Sequence, residues 1–333
     1  MEHYRFFIGI DVSKAVIDVF IHAKNLHRQF SNDRSGYDTF VRWAGKVLQA
    51  ESLGQVLVCF EHTGLYSLCL SVYLEETGIP FAMVPALQLK RSMGITRGKS
   101  DKVDARRIAE FAYLYRETLH QTKLPAKAIM QLQPLLALRD RLVRDRAGYY
   151  VTQKEQRRFL LPSQLMGLLD AYATIISAMD TEIKRVEKVM QEIIEQDEEL
   201  RSMLELITGI KGVGFLVGVY LIVFTHNFTR FATWRKFACY AGIAPFEWQS
   251  GTSIRGKTKV SPLANKQVKK MLHMAALSAS RSDSELKTYY QKRLAEGKNK
   301  MCTLNMVRNK LVARVFAVAT RKTAYVELMR HVA

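Results

Sequence analysis

Asp11, Glu61, Asp101 and Asp104 are the residues whose types and spacing point most directly to chemistry. Asp11 closes the apolar run FFIGID, Glu61 closes VLVCFE, and Asp101 and Asp104 stand three apart where a helix should begin. Residues at that spacing share a helix face. A charge ending a buried strand is costly unless it is paired or metal-bound. If the two strands are neighbours and the helix crosses their ends, the four carboxylates converge. Hard oxygen ligands of this kind suit Mg²⁺ or Mn²⁺. Two such ions about 4 Å apart can clamp the attacking and leaving oxygens of a phosphodiester transfer. Taken singly, Asp11 could start a turn and Asp101 or Asp104 could serve only the helix dipole; their joint order along the chain carries the reading. Lys14, three residues after Asp11, is placed to meet a phosphate, or else is a solvated turn lysine.

A second set lies far along the chain in AGIAPFEWQSGTSIRGKTKVS, residues 241–261, expected to be a loop. Ser250 and Ser253 lie beside Gly251 and Gly256, with Arg255, Lys257 and Lys259 close by. A serine hydroxyl attacks poorly at neutral pH unless something takes its proton, and no His or Asp stands near in sequence. On chemistry alone the run suits a phosphate-binding loop better than a nucleophile. Upstream, ITGIKGVG has the form of a helix-hairpin-helix, in which Gly209, Gly212 and Gly214 would let backbone amides approach a DNA phosphate. A tight turn between packed helices is the other reading.

The elements that must position these groups follow from periodicity. YRFFIGIDV (4–12), AVIDVFIHA (15–23) and LHRQFSN (26–32) are expected to form an antiparallel meander, followed by a helix over 35–50. A buried strand (55–61), a helix (66–76), a strand (80–85) and a helix over 101–116, capped by Ser100, complete an α/β unit of the RNase H type. Residues 126–200 read as long helices with apolar positions from Leu168 to Ile193 at spacings of three and four. This predicts an antiparallel coiled-coil hairpin that spaces domains or pairs subunits. The remainder is mainly α, with a helix near 233–241 and three basic helical segments over 262–320. The expected division is therefore 1–125, 126–200 and 201–333.

Charge is distributed unevenly. Residues 1–125 carry 16 Lys and Arg against 13 Asp and Glu, and 126–250 carry 16 against 14, whereas 251–333 carry 18 against 4. Such asymmetry fits a polyanion, since each neutralised phosphate releases counterions. No leader and no uncharged apolar run of about 18 residues is present, so the expectation is a cytoplasmic protein with no membrane partner. Four scattered cysteines lack zinc-ligand spacing and are expected to be buried and reduced.

GIDVSK, FEHTG, KSDKVDARRIAEF, LITGIKGVG and AGIAPFEWQSGTSIRGK, in this order, closely resemble the DEDD transposases of the "IS one-ten" insertion-sequence family, relatives of the Piv invertase. The resemblance runs over nearly the whole chain and is weakest in the helical middle. It implies that Asp11, Glu61, Asp101 and Asp104 are metal-binding carboxylates of a RuvC-like domain and that Ser250, with Ser253 as the fallback, joins covalently to DNA. It also implies a homo-oligomer, dimer or tetramer, that pairs the carboxylates of one subunit with the serine of another. Double-stranded DNA at element ends and target would be chosen by a structured guide RNA. His62 stands where a small residue is more usual, and Trp248 and Gln249 replace a tyrosine and an acid. The alternative is a metal-dependent junction resolvase or nuclease in which water attacks and Ser250 only contacts phosphate.

Overall fold

The computed structural model describes residues 4–49, 53–92, 100–251 and 254–326. The chain divides into two compact units, Met1–Leu124 and Pro125–Ala333.

The first unit is built on a five-stranded sheet. Strands β1 (Phe6–Val12), β2 (Val16–Ile21) and β3 (Leu26–Ser31) form the expected antiparallel meander, and α1 (Arg34–Leu48) follows, capped by Asp33. Next come β4 (Val56–Glu61), α2 (Leu65–Glu76), β5 (Phe81–Val84), a short helix α3 (Ala86–Ser92) that periodicity did not predict, and α4 (Asp101–Leu114). The strand order is β3-β2-β1-β4-β5, with β1, β4 and β5 parallel. Side chains alternate across a strand, so each face of the sheet has its own core. Ile8, Ile10, Ile17, Val19, Val58 and Phe60 pack with Phe40 of α1 and Leu70 of α2. Phe7, Leu57 and Cys59 pack with Ile108 and Ala112 of α4 on the other face.

On that second face α4 comes unusually close to β1. A Cβ on Gly9 would lie 2.2 Å from the Ala109 amide nitrogen and 2.3 Å from the Ala105 carbonyl oxygen. Gly9 is therefore fixed by the approach of helix backbone to strand backbone, and Ala105 and Ala109 are buried on it. Ser100 caps the helix as expected, its hydroxyl accepting from the Val103 amide.

The second unit contains α5 (Lys127–Phe159), α6 (Leu168–Glu195), α7 (Glu198–Thr208), α8 (Phe215–Thr225) and α9 (Trp234–Tyr240). A two-stranded ribbon, β6 (Pro245–Ser250) with β7 (Ile254–Val260), precedes α10 (Lys266–Ser282), α11 (Ser284–Ala295) and α12 (Lys300–Arg321). Helix α8 is apolar all round, and Val217–Val223 are buried at the centre. The ends of α5 and α6 nearest to it join this core through Leu132, Leu136, Val186, Met190 and Ile194. Helices α5 and α6 pack together as a hairpin, tied by Arg139 to Glu187 at 2.6 Å and by the Arg146–Asp180 pair. The apolar stripe of α6 is fully buried only at Ile183, Val186, Met190 and Ile194, while Leu168–Met179 stay partly or largely exposed.

Two expectations are corrected. Residues 245–260 form an antiparallel ribbon, not a loop, because their strands pair with each other through main-chain bonds that need no apolar alternation. Of the four cysteines only Cys59 is buried; Cys69, Cys239 and Cys302 are exposed, and all are free thiols. Among the described residues no helix is long and apolar enough to cross a membrane.

Gly9→Ala should destabilise the chain by about 3 kcal/mol, toward the upper end of overpacking costs, because both clashes are with backbone that cannot rotate away. Urea unfolding measures this, and a loss near zero would show that α4 rides more loosely on β1.

Candidate carboxylate site and serine ribbon

Strands β1 and β4 run parallel with Ile10 opposite Phe60, so the next residues, Asp11 one short of the end of β1 and Glu61 at the end of β4, stand side by side at one height. The close packing at Gly9 brings the first turn of α4, carrying Asp101 and Asp104, to that same sheet end. Asp11 is half-buried, and its carboxyl is pushed up from the usual range to about 6. Burial is the largest cause; repulsion from Asp104, Asp101, Asp18 and Glu61 follows in that order. The other three acids marked in the sequence thus all lie near enough to act on Asp11.

Asp18 is a fifth acid, missed in the sequence. It lies directly opposite Asp11 in the β1–β2 register and is only 4% exposed. Its two oxygens meet His27 Nε2 at 2.7 Å and Gln29 Nε2 at 3.1 Å, both from β3. The signal was available: the tight turn at 13–15 fixes 11 against 18, and an acid in the middle of VIDVFI must share the face of Asp11. Arg107, also unmarked, donates to Asp104 Oδ1 at 3.2 Å.

Among the described residues no three Asp, Glu, His or Cys side chains are grouped tightly enough, as they stand, to hold an ion. The donors nevertheless fit a hard divalent cation. They are carboxylates near one sheet end, and the repulsion they exert on Asp11 is the charge such an ion would neutralise. Lys14 is exposed in the turn after Asp11. His62 has a local structural part, its Nδ1 accepting from the Gly64 amide at 3.1 Å.

In the second unit the α7–α8 connection contains the three glycines singled out in the sequence. Gly212 has φ +93°, and a Cβ there would lie 2.6 Å from the Ala279 Cβ of α10, so its smallness serves packing and turn geometry together. Gly209 follows the end of α7, and Gly214 is the N-cap of α8 with open space around its Cα. Ser250 ends β6, paired in register with Ile254, and Gly251 turns the chain with φ +58°. Arg255 lies in β7 opposite Gln249, and Lys257 and Lys259 are exposed on the same strand. Ser253 lies outside the described residues.

Two family models match the chain. The DEDD IS110 model, described as "Transposase", covers residues 8–161, and that of the "Transposase IS116/IS110/IS902 family" covers 204–291. The chain is 25% identical over 324 residues to a "Pilin gene-inverting protein" of Moraxella bovis, spanning 94% of this chain and 95% of that one. An "Insertion element IS110 uncharacterized 43.6 kDa protein" of Streptomyces coelicolor is 27% identical over 159 residues, covering 48% of this chain and 39% of that protein's length.

The raised carboxyl of Asp11 sets a pH dependence. Ionising it costs more in the fold than in the unfolded chain, so this penalty is absent below about 4, grows as pH rises toward about 6, and is complete above it. In chelator, Asp11→Asn should therefore melt higher than the unsubstituted chain at pH 7.5, and the two should melt together near pH 4. A lower melting temperature for the variant at pH 7.5 would show that Asp11 is not under net repulsion.

Proposed function

We propose that this chain, an IS110-type transposase by the two family models that it matches, is a cytoplasmic recombinase of a mobile DNA element, cutting and rejoining DNA with Ser250 as nucleophile and the carboxylate set as cation site. The observation that carries this is the placement of Asp11 and Glu61 at one height on neighbouring parallel strands, with Asp101 and Asp104 of the first turn of α4 close enough to help raise the Asp11 carboxyl. Perturbed groups of this kind concentrate at working sites. The strand order β3-β2-β1-β4-β5, with acids at the ends of β1 and β4, supports an RNase H-type, RuvC-like assignment. Relatives matched over nearly the full length are named pilin gene-inverting proteins, which favours breakage coupled to rejoining over simple cleavage.

Asp11, Glu61, Asp101 and Asp104 would hold Mg²⁺ or Mn²⁺, which when bound offsets negative charge at the reacting phosphate. Coordination by Asp104 would compete with its ion pair to Arg107. In the first step Ser250 Oγ forms a bond to phosphorus, the bond from phosphorus to one DNA oxygen breaks, and the serine proton passes by way of a carboxylate to that leaving oxygen. In the second, a DNA hydroxyl attacks the phosphoserine, the Oγ–P bond breaks, and the proton of the attacking hydroxyl passes by way of a carboxylate to Ser250 Oγ. Each P–O bond broken is matched by one formed, so no nucleotide energy is consumed. Arg255, Lys257 and Lys259 hold the phosphate and stabilise its developing charge, and Lys14 adds a phosphate contact at the acid site.

The turn at Gly209–Gly214 acts as a helix-hairpin-helix, the amides at the start of α8 facing a DNA phosphate. The open space at Gly214 supports this, while Gly212 is committed to α10. Following the resemblance, the serine of one subunit serves the carboxylates of another within a dimer or tetramer, and a structured RNA of the element selects donor and target. RNA co-purifying with the chain would test that last reading, and nuclease-treated protein with unchanged target choice would refute it.

A covalent protein–DNA adduct trapped by denaturing electrophoresis should disappear in Ser250→Ala, and Glu61→Gln should lower cleavage by about a hundredfold or more. Full cleavage by Ser250→Ala, with no adduct from either protein, would replace this mechanism with water attack at the metal site.

A further inference from the structure

The β6–β7 ribbon carries two large aromatic side chains that the unit's core does not use. Trp248 is 71% exposed and Phe246 is 49% exposed, and neither belongs to the core cluster around α8. The other two tryptophans, Trp43 and Trp234, are partly buried. Exposing an indole forgoes the gain from burying one of the largest apolar side chains, and a two-stranded ribbon is marginally stable by itself.

The conformation of Trp248 is supported from below. Its cross-strand partner is Gly256, and a Cβ at Gly256 would lie 3.2 Å from Trp248 Cβ and 3.3 Å from Cδ1. The missing side chain lets the base of the indole settle against the opposite strand while its remainder stays open to solvent. The ribbon is net basic: residues 245–260 contain Arg255, Lys257 and Lys259 against the single acid Glu247, within a chain end carrying 18 Lys and Arg against 4 Asp and Glu from residue 251 onward. An exposed indole on a net basic ribbon is a combination with which proteins stack an unpaired base while tracking its phosphates. Trp248 also stands two positions before Ser250 on one strand, on the order of 7 Å of backbone, which is close to the spacing of neighbouring nucleotides.

We infer that Trp248 is a nucleobase-stacking residue, taking an unstacked base of the DNA strand next to the phosphate handled at Ser250, with Lys257 and Lys259 on the adjoining backbone. The location rests on the proposed role of the ribbon, whereas the stacking itself does not require Ser250 to be a nucleophile. The same aromatic surface could otherwise pair with a second copy of the chain, but its cations favour a polyanion over an equally basic partner.

The test uses the full chain with Ser250→Ala, so that no chemistry occurs, and a short single-stranded DNA oligonucleotide of mixed sequence. A matched oligomer of abasic deoxyribose phosphates has the same charge without bases. The emission of Trp248, taken as the difference between this protein and its Trp248→Phe derivative, should be quenched by the base-containing strand and not by the abasic one. Trp248→Ala should weaken binding of the base-containing strand by about tenfold or more with little change in its salt dependence, and Trp248→Tyr should restore most of it. Equal quenching by the abasic strand, unchanged affinity in Trp248→Ala, or a loss of self-association in that variant without a loss of DNA binding would each overturn the inference. Base-dependent quenching upholds it even where the unsubstituted protein forms no adduct, so the two readings fail separately.

Discussion

The backbone of α4 rests on the backbone of β1 at Gly9, and the arrangement of the acidic site follows from that contact. A helix normally stands off a sheet by the depth of two side-chain layers; here one layer is missing at Gly9, and Ala105 and Ala109 keep the other thin. The first turn of α4 lies one turn before Ala105, so whatever brings Ala105 down brings Asp101 and Asp104 to the end of β1. Parallel pairing of β1 with β4 then sets Glu61 beside Asp11, and the β1–β2 turn sets Asp18 opposite.

The result is a gathering of like charge near one end of the sheet, centred on Asp11. Asp283 shows how the same chain treats a buried acid whose role is structural. It caps α11 through the Leu286 amide and meets Arg314 at 2.9 Å. Asp18 is held by His27 and Gln29, and Asp104 by Arg107. Asp11 is raised to about 6 first by its own burial and then by repulsion from Asp104, Asp101, Asp18 and Glu61. Local rules broken at one place while the rest of the sequence obeys them mark a site with work to do.

Most of the first unit was legible because its signals are redundant. Each strand is an apolar run of the right length, Ser100 announces α4, and the acids fall at element ends. Asp18 escaped because an acid inside a strand reads as a solvent-facing residue until the register is fixed. Short α3 has too few residues to show a period. In the second unit the stripe of α6 is helical, as its spacing predicts, but only its C-terminal half is buried, since periodicity cannot tell where a long hairpin leaves the core. The β6–β7 ribbon escaped for a related reason: residues 256–259 are all exposed, so β7 lacks the apolar alternation by which strands are recognised. Its glycines and serines then look like loop punctuation.

The central claim is that the acids at the ends of β1, β4 and α4 form one cation site. A calorimetric Mn²⁺ titration of the chain at pH 6 and pH 7.5, with and without Glu61→Gln, tests it most directly. Saturable binding is expected, tightening from pH 6 to pH 7.5 as Asp11 gives up its proton and weakening when Glu61 is neutralised. Binding indifferent to both pH and Glu61→Gln, or no binding at all, would contradict it.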